Sequence, residues 1–88
     1  MKVLCVCGFG MGSSLILKMS VETAMKELGV SCEVEHTAAG TMEGMKYDLL
    51  VAAEDLREHL SDKDNVVIVS SIVKVADIKE SIREYLKI

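Results

Sequence analysis

An α/β domain is expected of this chain on two grounds. Four short runs with apolar and β-branched residues occur at 2–7, 31–37, 48–53 and 65–70, and amphipathic helical stripes lie between and after them. Strands that alternate with helices imply right-handed crossovers, and with them a parallel sheet covered by helices on both faces, a three-layer α/β/α domain. The runs at 2–7, 48–53 and 65–70 are nearly continuous in apolar residues, the pattern of strands buried on both sides. In 31–37, Glu33 and Glu35 alternate with Cys32 and Val34, as on a half-exposed edge strand. The first helix is expected at 13–28, because Leu17, Val21, Ala24 and Leu28 share one stripe while Lys18, Glu22, Lys26 and Glu27 fall elsewhere, and Gly29 can stop it. A C-terminal helix follows from Val75, Ile78, Ile82 and Leu86, with Lys79, Glu80, Arg83, Glu84 and Lys87 facing water. Asp77 and Glu80 have the spacing of a capping box. Residues 41–46 and 54–60 each have room for a short helix. Four parallel strands then take the order 2-1-3-4, a Rossmann-like sheet whose switch point is the end of the first strand, where open α/β sheets bind ligands.

Composition narrows the range of functions. The 88 residues form one domain, 1–88, with room for a single core. Half the residues are apolar but only Phe9, Tyr47 and Tyr85 are aromatic, so the core is aliphatic. Ten Lys and Arg against 14 Asp and Glu give a net charge of −4, without the basic footprint of a nucleic-acid binder. No apolar run has membrane-spanning length, so the chain is expected to have no span of its own. Cys5, Cys7 and Cys32 are an odd number without an export signal, which points to reduced thiols in the cytoplasm rather than a disulfide framework. With no proline, turns must be made by Gly, Asn, Asp or Ser.

Chemistry concentrates in Cys7-Gly8-Phe9-Gly10-Met11-Gly12-Ser13-Ser14, between the first strand and the first helix. Three glycines in five residues remove the Cβ atoms that would keep backbone N–H groups from converging on an anion. The following helix N-terminus adds unpaired N–H groups and the positive end of its dipole. Ser13 and Ser14 can cap that helix or donate hydroxyl bonds to a phosphate. In such surroundings the Cys7 thiolate is stabilised and its pKa falls, giving a nucleophile aimed at phosphorus. A glycine-rich turn can also serve tight strand–helix packing alone.

Named loops fit less well. A Walker A loop needs a lysine before its hydroxyl residue, and Lys18 lies a full turn into the helix. The dinucleotide fingerprint needs glycine where Ser13 stands. A cysteine-phosphatase loop, C-x5-R-[ST], matches Cys7 and Ser14, but Ser13 replaces the arginine. That arginine would hold the phosphoryl oxygens as water attacks the thiophosphate. Without it a phosphocysteine forms and is hydrolysed slowly, which suits a carrier.

The run VCGFGMGSSLILKM resembles the phosphorylation loop and first helix of the IIB components of the bacterial phosphoenolpyruvate-dependent sugar phosphotransferase system (PTS), most of all the ascorbate-type branch. The resemblance implies that Cys7 is phosphorylated and that backbone amides from Gly8, Phe9, Gly10, Met11, Gly12, Ser13 and Ser14 cradle the phosphoryl group. It implies a phosphohistidine on a IIA protein as donor and a sugar, such as ascorbate, bound by the membrane-embedded IIC permease as acceptor. A cytoplasmic position at the inner face of the membrane through IIC follows, with no metal or other cofactor. Phe9 and Met11 make the rim apolar, which suits a docking partner or a different sugar class. A regulatory or interaction domain of the same fold, without catalysis, is the alternative.

Other polar residues invite plainer expectations. Cys5 points to the same side of its strand as Cys7, about 6.6 Å away by the usual rise; a small buried core residue is expected. C-x-C spacing does not suit structural zinc. His36 and His59 are expected as solvated or capping residues. Ser70 and Ser71 lie at the carboxyl edge of the fourth strand, where they could line the cleft or cap a loop. Glu54 and Asp55 follow the third strand and could shape the mouth of the site or start a helix.

Overall fold

A computed structural model of the chain describes residues 1–7, 11–38, 44–60 and 65–88. Its elements are β1 (Lys2–Cys7), α1 (Met11–Leu28), β2 (Glu33–Ala38), β3 (Leu49–Ala53), β4 (Val66–Val69) and α2 (Val75–Leu86). All pairings in the four-stranded sheet are parallel, and the order is β2-β1-β3-β4, as expected.

β1 and β3 form the buried centre because, after Lys2, every residue of both strands is apolar. Val3, Cys5, Leu49 and Val51 enter one core with Val67 and Val69 of β4. Leu4, Val6, Leu50 and Ala52 enter a second core on the opposite face. Both α-helices cover the first face: Leu17, Val21, Ala24 and Met25 from α1, Ile78 and Ile82 from α2. β2 behaves as an edge strand, with Glu33 and Glu35 exposed and Val34 against the helix-side core.

The third layer is thinner than the two helix-bearing faces expected. Among the described residues the second face is closed by two 3₁₀ turns, Glu54–Leu56 and Glu58–Leu60, together with Met45 and Tyr47. The segment 54–60 has only Leu56 and Leu60 to bury. A nucleus that short does not propagate into an α-helix. Of the helix expected at 41–46, residues 41–43 lie outside the described residues, and 44–46 hold a turn at Gly44 without a helix.

Helix boundaries shift in ways local chemistry explains. α1 begins at Met11, two residues before the expected start, and ends in a Schellman motif. Gly29 takes φ +74°, its N–H donates to Lys26 O at 3.1 Å, and Val30 N–H donates to Met25 O at 3.0 Å. α2 begins at Val75, so the Asp77–Glu80 capping box does not form its start. Asp77 instead sits in the first turn, where a carboxylate favours the dipole. Ser20 of α1 donates to Ile72 O at 2.7 Å, tying α1 to the loop that precedes α2.

Lys79 and Glu27 make a 3.3 Å ion pair between the two helices, but both side chains are well exposed. Such pairs contribute about 1 kcal/mol or less. Ile78, one residue earlier, is fully buried. Urea unfolding of Ile78→Ala is therefore expected to show a loss of about 2–5 kcal/mol, and of Lys79→Ala less than about 1 kcal/mol.

Candidate functional site

β1 is the strand from which the sheet order diverges, with β2 on one side and β3 on the other. Its last residue is Cys7, and α1 starts at Met11. Four chain steps separate them, so their α-carbons lie no more than about 14 Å apart. An α-helix leaves its first N–H groups without intrahelical partners, and here they belong to Met11, Gly12 and Ser13. The end of β1 and a helix N-terminus are thus held together at the carboxyl edge of the sheet. Of the expected cradle, Gly8, Phe9 and Gly10 lie outside the described residues. Cys7, Met11, Gly12 and Ser13 are described by their place in β1 and α1.

Ser14, in the first turn of α1, is fully buried, and its Oγ lies 3.0 Å from Nδ1 of His36 on β2. The register explains the contact. His36 is paired with Cys5, which faces the helices, and paired residues of a parallel sheet share a face. The helix-side row of the edge strand therefore runs Cys32, Val34, His36. Expected as a solvated or capping residue, His36 is half-buried and bonded to the helix. The signal lies in the period-two row, whose first two members pack against the core and whose third stands at the candidate site.

The remaining carboxyl-edge candidates have local duties. Ser71 Oγ accepts from Val73 N–H at 3.3 Å, a loop cap. Glu54 is held by Arg57 through two bonds of 2.8 and 2.9 Å, and that hydrogen-bonded guanidinium keeps its carboxyl below the usual range. Ser70 is exposed. Asp55 and His59 are described only as members of the two 3₁₀ turns. No group of three or more His, Cys, Asp or Glu side chains among the described residues is placed to hold a metal ion. Surface depressions lined by Met1, Lys2, Cys32 and Asp48, and by Glu22, Lys26 and Val30, involve the amino end of the sheet and lie away from this edge.

The thiols of Cys5 and Cys32 are both covered by the fold. Cys5 is fully buried, and burial pushes its pKa up to about 12; Glu22 and Cys32 add to the rise and Lys18 offsets part of it. It is a neutral thiol at physiological pH and no nucleophile. Cys32 is half-buried and its thiol is also raised, first by burial.

Comparison with known proteins agrees with this architecture. The family described as PTS system, lactose/cellobiose specific IIB subunit, matches residues 2–84. The ascorbate-specific PTS system EIIB component of Mycoplasma pneumoniae is 31% identical over 88 residues, spanning 96% of this chain and 93% of that protein. The lactose-specific IIB component domain from Streptococcus pneumoniae superposes with a TM-score of 0.59 at 20% identity, covering 99% of this chain and 91% of its own, a likeness of fold. No helix among the described residues is long and apolar enough to cross a membrane.

The Cys5 thiol makes stability depend on alkaline pH. Its folded-state pKa, about 12, stands above the ordinary 9.0 that applies when the chain unfolds. The stability it contributes is complete below pH 9 and is lost as pH rises toward 12, by up to about 1.4 kcal/mol per unit. Cys5→Ala removes this dependence. In urea titrations the stability gap between wild type and Cys5→Ala is expected to narrow steadily from pH 9 upward.

Proposed function

Because the chain belongs to the lactose/cellobiose-specific IIB family of the sugar phosphotransferase system, we propose that residues 1–88 act as one phosphocarrier domain with Cys7 as the phosphoryl-carrying residue. The observation that carries this reading is the position of Cys7 at the end of β1, within four chain steps of a helix start, while Cys5 is a buried neutral thiol. The Cys7 thiolate attacks the phosphorus of a IIA phosphohistidine in line. An S–P bond forms, the N–P bond breaks, and the electron pair leaves on the imidazole nitrogen. Amides of Gly8, Phe9, Gly10, Met11, Gly12, Ser13 and Ser14 surround the equatorial oxygens. The N–H groups at Met11, Gly12 and Ser13, which α1 leaves without intrahelical partners, and the α1 dipole supply most of the stabilisation.

The phosphocysteine is long-lived because Ser13 stands where a phosphatase loop carries arginine, so water is a poor acceptor. On IIC a sugar hydroxyl attacks the phosphorus: an O–P bond forms, the S–P and O–H bonds break, the thiolate returns and the proton passes to water. The similarity to an ascorbate-specific relative makes ascorbate the sugar we assign. The domain works at the cytoplasmic face of the membrane through IIC. Leu15, Ile16 and Met19 are exposed on α1. At 1.5 Å per residue they fall within about 12 Å of the helix start, an apolar surface for IIA to cover.

Intact mass after incubation with phosphoenolpyruvate, the general phosphotransferase proteins and an ascorbate-branch IIA protein tests this. Wild type and Cys5→Ala are expected to gain one phosphoryl group, and Cys7→Ser none. Uptake by Cys7→Ser would sink the assignment.

A further inference from the structure

The contact between Ser14 Oγ and His36 Nδ1 has more consequence than packing alone requires. A buried hydrogen-bonded pair contributes only about 1 kcal/mol, and apolar residues of the same shape in both places would be nearly neutral. The row Cys32, Val34, His36 could have ended in another aliphatic residue to extend the helix-side core. It ends instead in an imidazole, opposite Cys5 in the register and bonded to a fully buried serine.

The placement matters because of what lies on either side. Ser14 follows Met11, Gly12 and Ser13, whose N–H groups are those α1 leaves without intrahelical partners. Before them come Gly8 and Gly10, which with Gly12 impose little backbone preference of their own. The Met11, Gly12 and Ser13 amides run along the axis of α1, so whatever fixes the first turn of α1 fixes where they point. The contact joins the first turn of α1 to the carboxyl end of β2 at 3.0 Å, one residue before the buried Thr37. Either neutral tautomer of the imidazole can make it. Nδ1–H donates to Oγ in one, and the serine hydroxyl donates to Nδ1 in the other.

We propose that His36 is a positioning residue for phosphoryl transfer, holding the first turn of α1 against the edge strand so that its amides are aligned on the phosphoryl group. The inference rests on Cys7 carrying that group. His36 makes no contact with the reacting atoms in this scheme; it acts through Ser14. A cradle released from β2 loses alignment; hydrogen-bonded residues that orient metal ligands change affinity or activity by about 10–100-fold, and an effect of that order is expected here.

The test compares His36→Phe, His36→Asn and His36→Gln. Asparagine can place a polar atom close to the position of Nδ1; glutamine reaches the position of Nε2 instead; phenylalanine offers neither. In amide ¹H–¹⁵N spectra, which need no donor, His36→Phe is expected to shift the Met11, Gly12 and Ser13 resonances, and His36→Asn to leave them near wild type. In time courses of intact mass with phosphorylated ascorbate-branch IIA, His36→Phe is expected to slow uptake about tenfold or more at saturating donor. His36→Asn should recover to within about threefold, and His36→Gln should not. In a Ser14→Ala background, His36→Phe should slow transfer no further. Unmoved amides, a wild-type rate in His36→Phe, or an equal effect of His36→Phe with and without Ser14 overturns the proposal. If His36→Phe does not fold, equal behaviour of the asparagine and glutamine variants overturns it. Cys7→Ser tests the premise separately. No uptake there beside a wild-type rate in His36→Phe removes the positioning role alone, whereas uptake in Cys7→Ser removes both.

Discussion

Burial of β1 on both faces is the constraint from which the other features follow. Val3 and Cys5 enter one core, Leu4 and Val6 the other, and none of the four is more than 1% exposed. A strand in that position needs a neighbour on each side, and β2 and β3 supply them in parallel. Parallel neighbours require crossovers, and the first crossover must leave from the carboxyl end of β1. The start of α1 is thereby brought back to the same edge as Cys7, and the register with β2 puts His36 opposite Cys5. The candidate site thus stands at the end of a strand that both cores hold in place.

Much of this was legible in the sequence because aliphatic runs and helical stripes report burial directly. β1, β3 and β4 lie within one or two residues of the runs that announced them, and β2 carries the alternation of an edge strand. Three things were less legible. The start of α2 precedes Asp77 because capping by a side chain is not required when a helix has Ile78 and Ile82 to bury. The segment 54–60 reads as a short helix but stops at 3₁₀ turns, since two leucines cannot sustain more. His36 was obscured because its partner is 22 positions away and only the strand register brings them together.

The candidate site shows the same division. Cys7 and the glycine-rich connection stand out locally, since a thiol, glycines and a helix start in one short run have a chemical meaning by themselves. The contrast with Cys5 is not local. The two cysteines are two residues apart on one strand, and sequence suggests only that Cys5 is small and buried. The aliphatic surroundings that pack Cys5 also desolvate its thiolate. One strand therefore carries a silent thiol and, in the proposed scheme, a reactive one.

The unequal covering of the two sheet faces has a mechanical consequence. On one side Ser20 ties α1 to the loop before α2, and the two helices share a core. On the other, among the described residues, two turns of three residues hold on by one leucine each. Local opening follows the number of apolar contacts that must be broken, so the turn-covered side exchanges its protection with solvent at lower free energy than the helix-covered side. Ser14 and His36 belong to the stiff side. In the proposed scheme, partners that engage that edge meet the side of the sheet that resists opening most.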